Sequence, residues 1–361
     1  MARLPSVDRI PGGRGFASLS RRVRTLLVTT VVFLVLFALA LTLPVPYVIL
    51  SPGPTYNTLG ADDSGNVIIT IDGRTPNKTT GHLNMTTVSV TTRPISAFQA
   101  VLGWLLHDQV VVPRSAVYEP GKSQQQTDQQ NTQDFITSQD SAKVAALCEL
   151  GYPKAFGVVS VLTAGPSNKI LLAGDQLVSI AGAPADTAAA LTAVLQAQTP
   201  GTKVPVVVKR RGKPESVSVT LAKPPKGGKG ARLGIEVADT CLAPFTIDLG
   251  LANQIGGPSA GLMFALGIMD KIGSVDLTQG RFIAGTGTID ANGHVGPIGG
   301  IALKMIAAKD KGASVFLAPA DNCDEVVKAT PSGLKVVKID SLHTAVQDLL
   351  KIEKGQPVAG C

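Results

Sequence analysis

Residues 256–267 read GGPSAGLMFALG and set Ser259 just behind a Gly-Gly-Pro break and ahead of an apolar run. Pro258 suits the first position of a helix, where its missing N–H would have no partner, and Gly256 and Gly257 suit a tight entry. Ser259 is then expected in the first helical turn, where unpaired backbone N–H groups carry partial positive charge. The amides of Ser259 and Ala260 are candidates to hold an oxyanion on a substrate carbonyl. A serine that merely caps a helix would sit in the same place, so the chemistry depends on a partner base.

Four histidines are available: His82, His107, His294 and His343. Residues 257–261 match G-x-S-x-G, and the order Ser259, Asp321 or Asp324, His343 fits an α/β-hydrolase triad. That alternative lacks the buried strand that should precede the serine, the upstream oxyanion segment and the alternating strands and helices of a large parallel sheet. Lys304 is the better base. GPIGGIALKMIAAKDKGA reads as a Gly-Gly turn and a helix ending before Gly312, with Lys304 in its first turns. Its helical neighbours Ile301, Ala307 and Ala308 are apolar, and no carboxylate lies within that reach. Burial and an opposed helix dipole both lower an ammonium pKa. A base at neutral pH needs a drop of about 3 units from ~10.4, roughly 4 kcal/mol. Lys309 and Lys311, near the helix's carboxyl end, read as surface lysines.

Together, GGPSAGLMFALG, GRFIAGTGTIDANGHVGPIGGIALKMIAAKDKGA and FLAPADN resemble the proteolytic domain of Lon-type serine proteases, peptidase family S16, over about residues 235–350. The resemblance implies a domain of the ribosomal protein S5 domain 2-like fold. It implies a Ser-Lys dyad of Ser259 as nucleophile and Lys304 as general base, with Thr286 near the lysine and orienting it. An acidic residue commonly precedes the Gly-Pro-Ser-Ala-Gly run in full Lon enzymes, and Gly256 stands there in this chain. The resemblance also makes a homo-oligomeric ring of six the expected assembly. No G-x-x-x-x-G-K-[ST] motif occurs, and KGGKGA lacks its spacing and hydroxyl, so cleavage is expected to proceed without ATP.

The elements that must carry this site begin with residues 26–43, LLVTTVVFLVLFALALTL, long enough and apolar enough to cross a bilayer. Arg21, Arg22 and Arg24 precede them, which is expected to keep residues 1–25 cytoplasmic and place the rest outside; the resemblance implies that the membrane is a bacterial cell membrane. Ala38-Leu39-Ala40 resembles a signal-peptide cleavage site, but it lies inside the apolar run, so an uncleaved single-pass anchor is expected. Residues 44–150 read as a membrane-proximal structural region without catalytic residues. NVIITIDG and MTTVSVTT are strands, PISAFQAVLGWLL a helix packed by Phe98, Leu102, Trp104 and Leu105, GKSQQQTDQQNTQ a loop, and FITSQDSAKVAALCELG a helix.

Residues 151–222 resemble a PDZ domain, carried by GPSNKILLAGDQLVSIAGAP, a helix, and PGTKVPVVVKRRGK. The resemblance implies that an extended peptide adds to a sheet edge with its terminal carboxylate held by backbone N–H groups. The holding loop is expected at Lys154, Ala155, Phe156 and Gly157, with Val158 and Val159 opening the receiving strand; YPKAFGVV departs from the familiar Gly-Leu-Gly-Phe type. KPPKGGKGAR, at 223–232, reads as a linker, 233–352 as the proteolytic domain, and 353–361 as a disordered tail.

The whole is an α+β multidomain chain similar to the membrane-anchored, PDZ-containing Lon-like proteases of bacteria. Its expected partners are unfolded or PDZ-presented extracytoplasmic polypeptides, taken through exposed C-termini, and the lipid bilayer. The second reading is a non-catalytic PDZ receptor. Nucleic acid is not an expected partner, because the basic stretch from Lys203 to Arg232 contains no interleaved aromatic residues. The four cysteines show no zinc spacing, and no metal or other cofactor is expected. Cys241 and Cys323, both in the proteolytic unit, are expected to form a disulfide.

Overall fold

The computed structural model describes residues 20–106, 108–118, 121–225, 227–251 and 255–361. Residues 1–19 of the expected cytoplasmic segment lie outside them. The chain divides into two compact units, residues 1–49 with 91–114, and residues 50–90 with 115–361.

In chain order the first elements are α1 (Arg21–Thr42), β1 (Pro44–Val45), β2 (Tyr47–Asn57), β3 (Ile69–Asp72), β4 (His82–Val90), β5 (Ile95–Ser96), α2 (Ala97–Leu105) and β6 (Val110–Pro113). In the first unit, α1 carries three arginines in its first turn, has no charged residue after Arg24, and has no buried residue. The helix α2 starts in a capping box, Ser96 with Gln99, as its sequence S-x-x-Q dictates. Its large side chains do not pack as the sequence suggested: Phe98, Leu102, Trp104 and Leu105 are exposed, and the small Ala100 and Gly103 face inward.

The second unit continues with α3 (Gln124–Glu149), β7 (Lys154–Val161), β8 (Gln176–Ile180), β9 (Ala183–Pro184), α4 (Ala188–Gln196), β10 (Lys203–Arg210), β11 (Lys213–Thr220) and β12 (Ile235–Cys241). The helix α3 corrects the expected loop at GKSQQQTDQQNTQ. A capping box of Ser123 and Gln126 nucleates it, and Phe135, packed edge-to-face on Phe264, anchors its middle. The PDZ sheet runs β11-β10-β8-β7-β12, with β9 beside β8. Its terminal strand, β12, was expected in the proteolytic unit. It belongs here because Ile235 and Val237 complete the apolar cluster of Val158, Leu177, Val206 and Leu191.

The remaining elements are β13 (Thr246–Leu249), α5 (Gly261–Ile272), β14 (Phe282–Gly285), β15 (Thr288–Ile289), β16 (Val295–Gly296), α6 (Ile301–Asp310), β17 (Val315–Pro319), α7 (Cys323–Ala329), β18 (Lys335–Ile339) and α8 (Leu342–Glu353). The proteolytic sheet runs β18-β17-β14-β4-β2, parallel from β18 to β4 and antiparallel between β4 and β2. Strand β13 pairs with β3. Residues 50–90 are therefore part of the proteolytic fold rather than a separate membrane-proximal region. Their alternating Leu83 and Met85 enter the same core as Phe264 and Leu317. Every residue of α5 is buried, with α3 packed along it.

The expected Cys241–Cys323 disulfide is not formed. Cys241 pairs with Cys148 and Cys323 with Cys361, each with a Cα separation of 5.1 Å. The end of α3 brings Cys148 to the end of β12, whereas Cys323 opens α7, where the carboxyl-terminal segment returns. That segment is not a disordered tail: Ala359 O accepts from Lys338 N at 2.9 Å, and Val358 packs on the core. Non-reducing peptide mapping is expected to recover these two pairs. Replacing Cys148 and Cys241 together by alanine is expected to cost ~2–5 kcal/mol in denaturant unfolding.

Candidate active site

Ser259 stands in the turn before α5, not inside its first turn as expected. Ala260 occupies the cap position and the helix starts at Gly261. The approach needs glycine at Gly257, whose φ is 85°. Three polar residues of α3 fix this loop from behind. Asn131 O accepts from Gly257 N at 2.8 Å, Ser138 Oγ donates to Pro258 O at 2.7 Å, and Gln139 Nε2 donates to Gly250 O at 2.8 Å. None of these three was singled out in the sequence. The S-x-x-Q cap at Ser123 was the signal that a helix begins there, and the glutamine-rich composition obscured it.

Lys304 is in α6, which starts from Gly300 in a left-handed conformation with φ 70°. A Cβ there would stand 2.9 Å from Val88 Cγ2, so the turn also needs the missing side chain to approach β4. The Lys304 Nζ lies 2.7 Å from Ser259 Oγ and 2.9 Å from Thr286 Oγ1. Thr286, fully buried after β14, donates its hydroxyl proton to Ser259 O at 3.0 Å. Gly287 N donates to the same carbonyl at 2.9 Å. The three residues expected to act together, Ser259, Lys304 and Thr286, are thus brought within hydrogen-bond reach. The amides of Ser259 and Ala260 donate to no backbone carbonyl among the described residues.

Lys304 is 3% exposed, and burial lowers its pKa from 10.5 to about 7. No carboxylate opposes that change. Half of the amine is then neutral at neutral pH, and its lone pair can accept the serine proton. Lys309 is a surface lysine that donates to Gly333 O at 3.1 Å. His343 is turned elsewhere: Nδ1 faces Glu149 at 2.7 Å on an exposed surface, so it does not supply the base of a Ser-His-Asp triad. A cavity of about 480 Å³ opens at Ser259 and Lys304. Its other walls include Tyr56 of β2 and Met85, Thr87 and Ser89 of β4. Among the described residues, no group of three or more metal-ligating side chains is present.

The PDZ loop expected at Lys154, Ala155, Phe156, Gly157, Val158 and Val159 is not a receiving edge. Lys154 to Val158 pair with Cys241 to Val237 of β12, and Val159 is the extra residue of a bulge in that ladder. On the other side, Val158 N donates to Asp175 O at 2.8 Å. Both edges of β7 are taken, and the outer strands of this sheet are β11 at one end and β12, next to β7, at the other. The segment leading into β12 is Ala231-Arg232-Leu233-Gly234, where Ala231 N donates to Leu195 O at the end of α4. The signal for this arrangement was Leu-Gly-Ile at 233–235, read as the far side of a linker.

Residues 252–352 match the Lon protease (S16) C-terminal proteolytic domain, and residues 153–221 match the PDZ domain. Lon protease 2 of Bacillus subtilis (strain 168) is 33% identical over 96 residues, 27% of this chain and 17% of that protein. Lon protease of Campylobacter concisus (strain 13826) is 32% identical over 102 residues, 27% of this chain and 12% of that protein. The matched region is thus a small part of these relatives. The crystal structure of the PDZ domain of the SdrC-like protein Lin2157 from Listeria innocua is 26% identical, covering 23% of this chain and 92% of that one, with a TM-score of 0.22. The chain contains a PDZ domain and a Lon-type proteolytic domain, the catalytic module of a serine peptidase.

The depressed lysine has a thermodynamic signature. Between about pH 7 and pH 10.5 the unfolded chain binds a proton at this residue that the folded chain does not, so stability rises with pH across that window. Below it, holding the ammonium charged in its buried place costs ~1.4 kcal/mol for each tenfold change in its acidity constant, several kcal/mol in all. Lys304→Met is expected to be more stable than the parent by ~1–4 kcal/mol at pH 6 and to lose that advantage by pH 10, read by thermal melts at both pH values.

Proposed function

We propose that the chain is a membrane-anchored endopeptidase that hydrolyses peptide bonds in flexible extracytoplasmic polypeptides through a Ser259–Lys304 dyad. The observation that carries this reading is the 2.7 Å contact between the Lys304 amine and the Ser259 hydroxyl, in a site where burial brings the amine to about 7. Neutral Lys304 takes the proton of Ser259 as its oxygen attacks the carbonyl carbon. The amides of Ser259 and Ala260 receive the developing oxyanion. The ammonium then protonates the leaving amine, and the neutral amine next activates the water that releases the acyl group. Thr286 is a positioning residue: its oxygen accepts one lysine N–H, which leaves the lone pair of the neutral amine directed at Ser259.

The membrane assignment rests on α1, a 22-residue helix whose most apolar 18-residue stretch has mean hydropathy 2.6 and which has no buried residue. Assembly into a homo-oligomeric ring belongs to the same reading. So does independence of ATP, since the sequence carries no phosphate-binding loop. With fluorogenic casein, Ser259→Ala and Lys304→Ala are each expected to lose at least ~10³-fold in kcat/KM while keeping the fold, and added ATP to change nothing. The acid limb of kcat/KM is expected near pH 7, rising with pH as Lys304 deprotonates. Retained cleavage by Lys304→Ala would overturn the dyad, and no cleavage by the parent chain under any condition would move the protein to the receptor reading.

The PDZ unit is proposed to receive the substrate's C-terminal strand on the open edge of β12, beside Val194 and Leu195 of α4. Arg232, just before that strand, has a buried Nε–H without a hydrogen-bond partner among the described residues and suits a carboxylate. Calorimetry on the Ser259→Ala chain is expected to give tighter binding of peptides with a free carboxyl end than of their amides. Arg232→Ala should remove most of that difference.

A further inference from the structure

The helix α2 wears its apolar stripe on the outside. Phe98, Val101, Leu102 and Leu105 fall at i, i+3, i+4 and i+7, the spacing of a face meant for a core. They are 39%, 52%, 45% and 70% exposed. The inward face is taken by Ala100 and Gly103, and a Cβ at Gly103 would stand 2.8 Å from Val111 Cγ2, so the helix is seated closely on that side and cannot roll. No charged residue occurs between Arg93 and Asp108. An uncharged helix with its large side chains in water is unfavourable unless another medium covers it.

The position of α2 in its unit says which medium. The Phe98 ring meets the Phe37 ring of α1 edge-on, 5.9 Å between centroids. Phe37 lies five residues before Thr42, the end of α1, which is about 8 Å along the helix axis. A bilayer that contains α1 therefore reaches the level of Phe98. At the other end of α2, Trp104 meets Tyr47 edge-on at 6.1 Å. Such rings, with an apolar body and a polar tip, favour the headgroup boundary.

We propose that α2 is a second membrane element, lying in the leaflet where α1 ends, with its Phe98, Val101, Leu102 and Leu105 stripe in the acyl region and Trp104 at the headgroup boundary. The occupant of this face is lipid. The proposal rests on the reading of α1 as an anchor. An interfacial helix beside the spanning one fixes the tilt and rotation of this unit in the membrane, which a single helix leaves free.

Trp104 is the only tryptophan in the chain, so it reports on α2 alone. The full-length Ser259→Ala chain would be reconstituted in vesicles of phosphatidylcholine and phosphatidylglycerol. Lipids brominated near the headgroup end of the acyl chain are expected to quench Trp104 by at least ~2-fold, and more than lipids brominated near the methyl end, with little quenching by aqueous acrylamide. A control carrying Trp104→Phe and Phe33→Trp places the reporter in α1. Lipid quenching of that control without lipid quenching of Trp104 overturns the proposal for α2 and leaves the anchor intact. In that case, acrylamide quenching assigns the face to water, and protection from both quenchers assigns it to a second copy of the chain. Absence of lipid quenching in the control overturns both readings together.

Discussion

The structure turns on one amine kept out of water with no anion to pair it. Lys304 meets two hydroxyls, Ser259 and Thr286, and apolar packing. A carboxylate in that place would stabilise the fold and hold the lysine charged. Its absence leaves desolvation as the sole cause of the fall to about 7, the value a general base needs near neutrality. The site is thus a place where stability has been given up to hold an amine near neutrality, as the proposed dyad requires, and the rest of the fold must be rigid enough to keep water away from it.

That rigidity comes from parts of the chain distant in sequence. Ser259 belongs to the turn before α5, Thr286 follows β14, and Lys304 rides on α6. Thr286 bridges the other two, donating to Ser259 O and accepting from Lys304 Nζ. Behind the serine, Asn131, Ser138 and Gln139 of α3 hold the loop carbonyls and an amide at three points. Loops bearing nucleophiles lose geometry easily, and a long helix packed on the buried α5 is a stiff support. Strands β2 and β4 then provide the facing wall of the cavity.

The meeting of Ser259, Lys304 and Thr286 was legible in the sequence because each sits in a local pattern. A Gly-Gly-Pro-Ser turn, a lysine among apolar residues in a first helical turn and the threonine of GTGTI are each readable within a dozen residues. The apolar helix α1, the strands β7, β8, β10 and β11 of the PDZ unit and the helices α4, α5 and α6 were readable for the same reason. What was not legible depends on pairing between distant segments. Strand β12 reads equally well as the start of a proteolytic domain, and only its ladder with β7 assigns it to the PDZ sheet. The disulfides could not be deduced because four cysteines allow three pairings, and the choice is made by where α3 and the returning carboxyl-terminal segment end. The glutamine-rich start of α3 was hidden by composition: its helix is held by a cap and by tertiary packing, with little intrinsic amphipathic signal.

The same distant pairing explains how the PDZ sheet and the Ser259–Lys304 site share one compact unit. Strand β12 is followed directly by β13 and then by the loop carrying Ser259. Its end is tied by Cys241 to Cys148 at the end of α3. Near the other end of α3, Gln133 accepts from Thr163 N at 2.6 Å, just past β7. One helix therefore contacts both the PDZ unit, through Gln133 and Cys148, and the Ser259 loop, through Asn131 and Ser138. A flexible linker between the two domains would let the binding edge wander relative to the serine, and tethering would then act only through effective concentration. Here the connection is a strand, a disulfide and a helix, so under the proposed function a polypeptide held on β12 would be presented from a fixed place, and the fold would set the direction in which it leaves that edge.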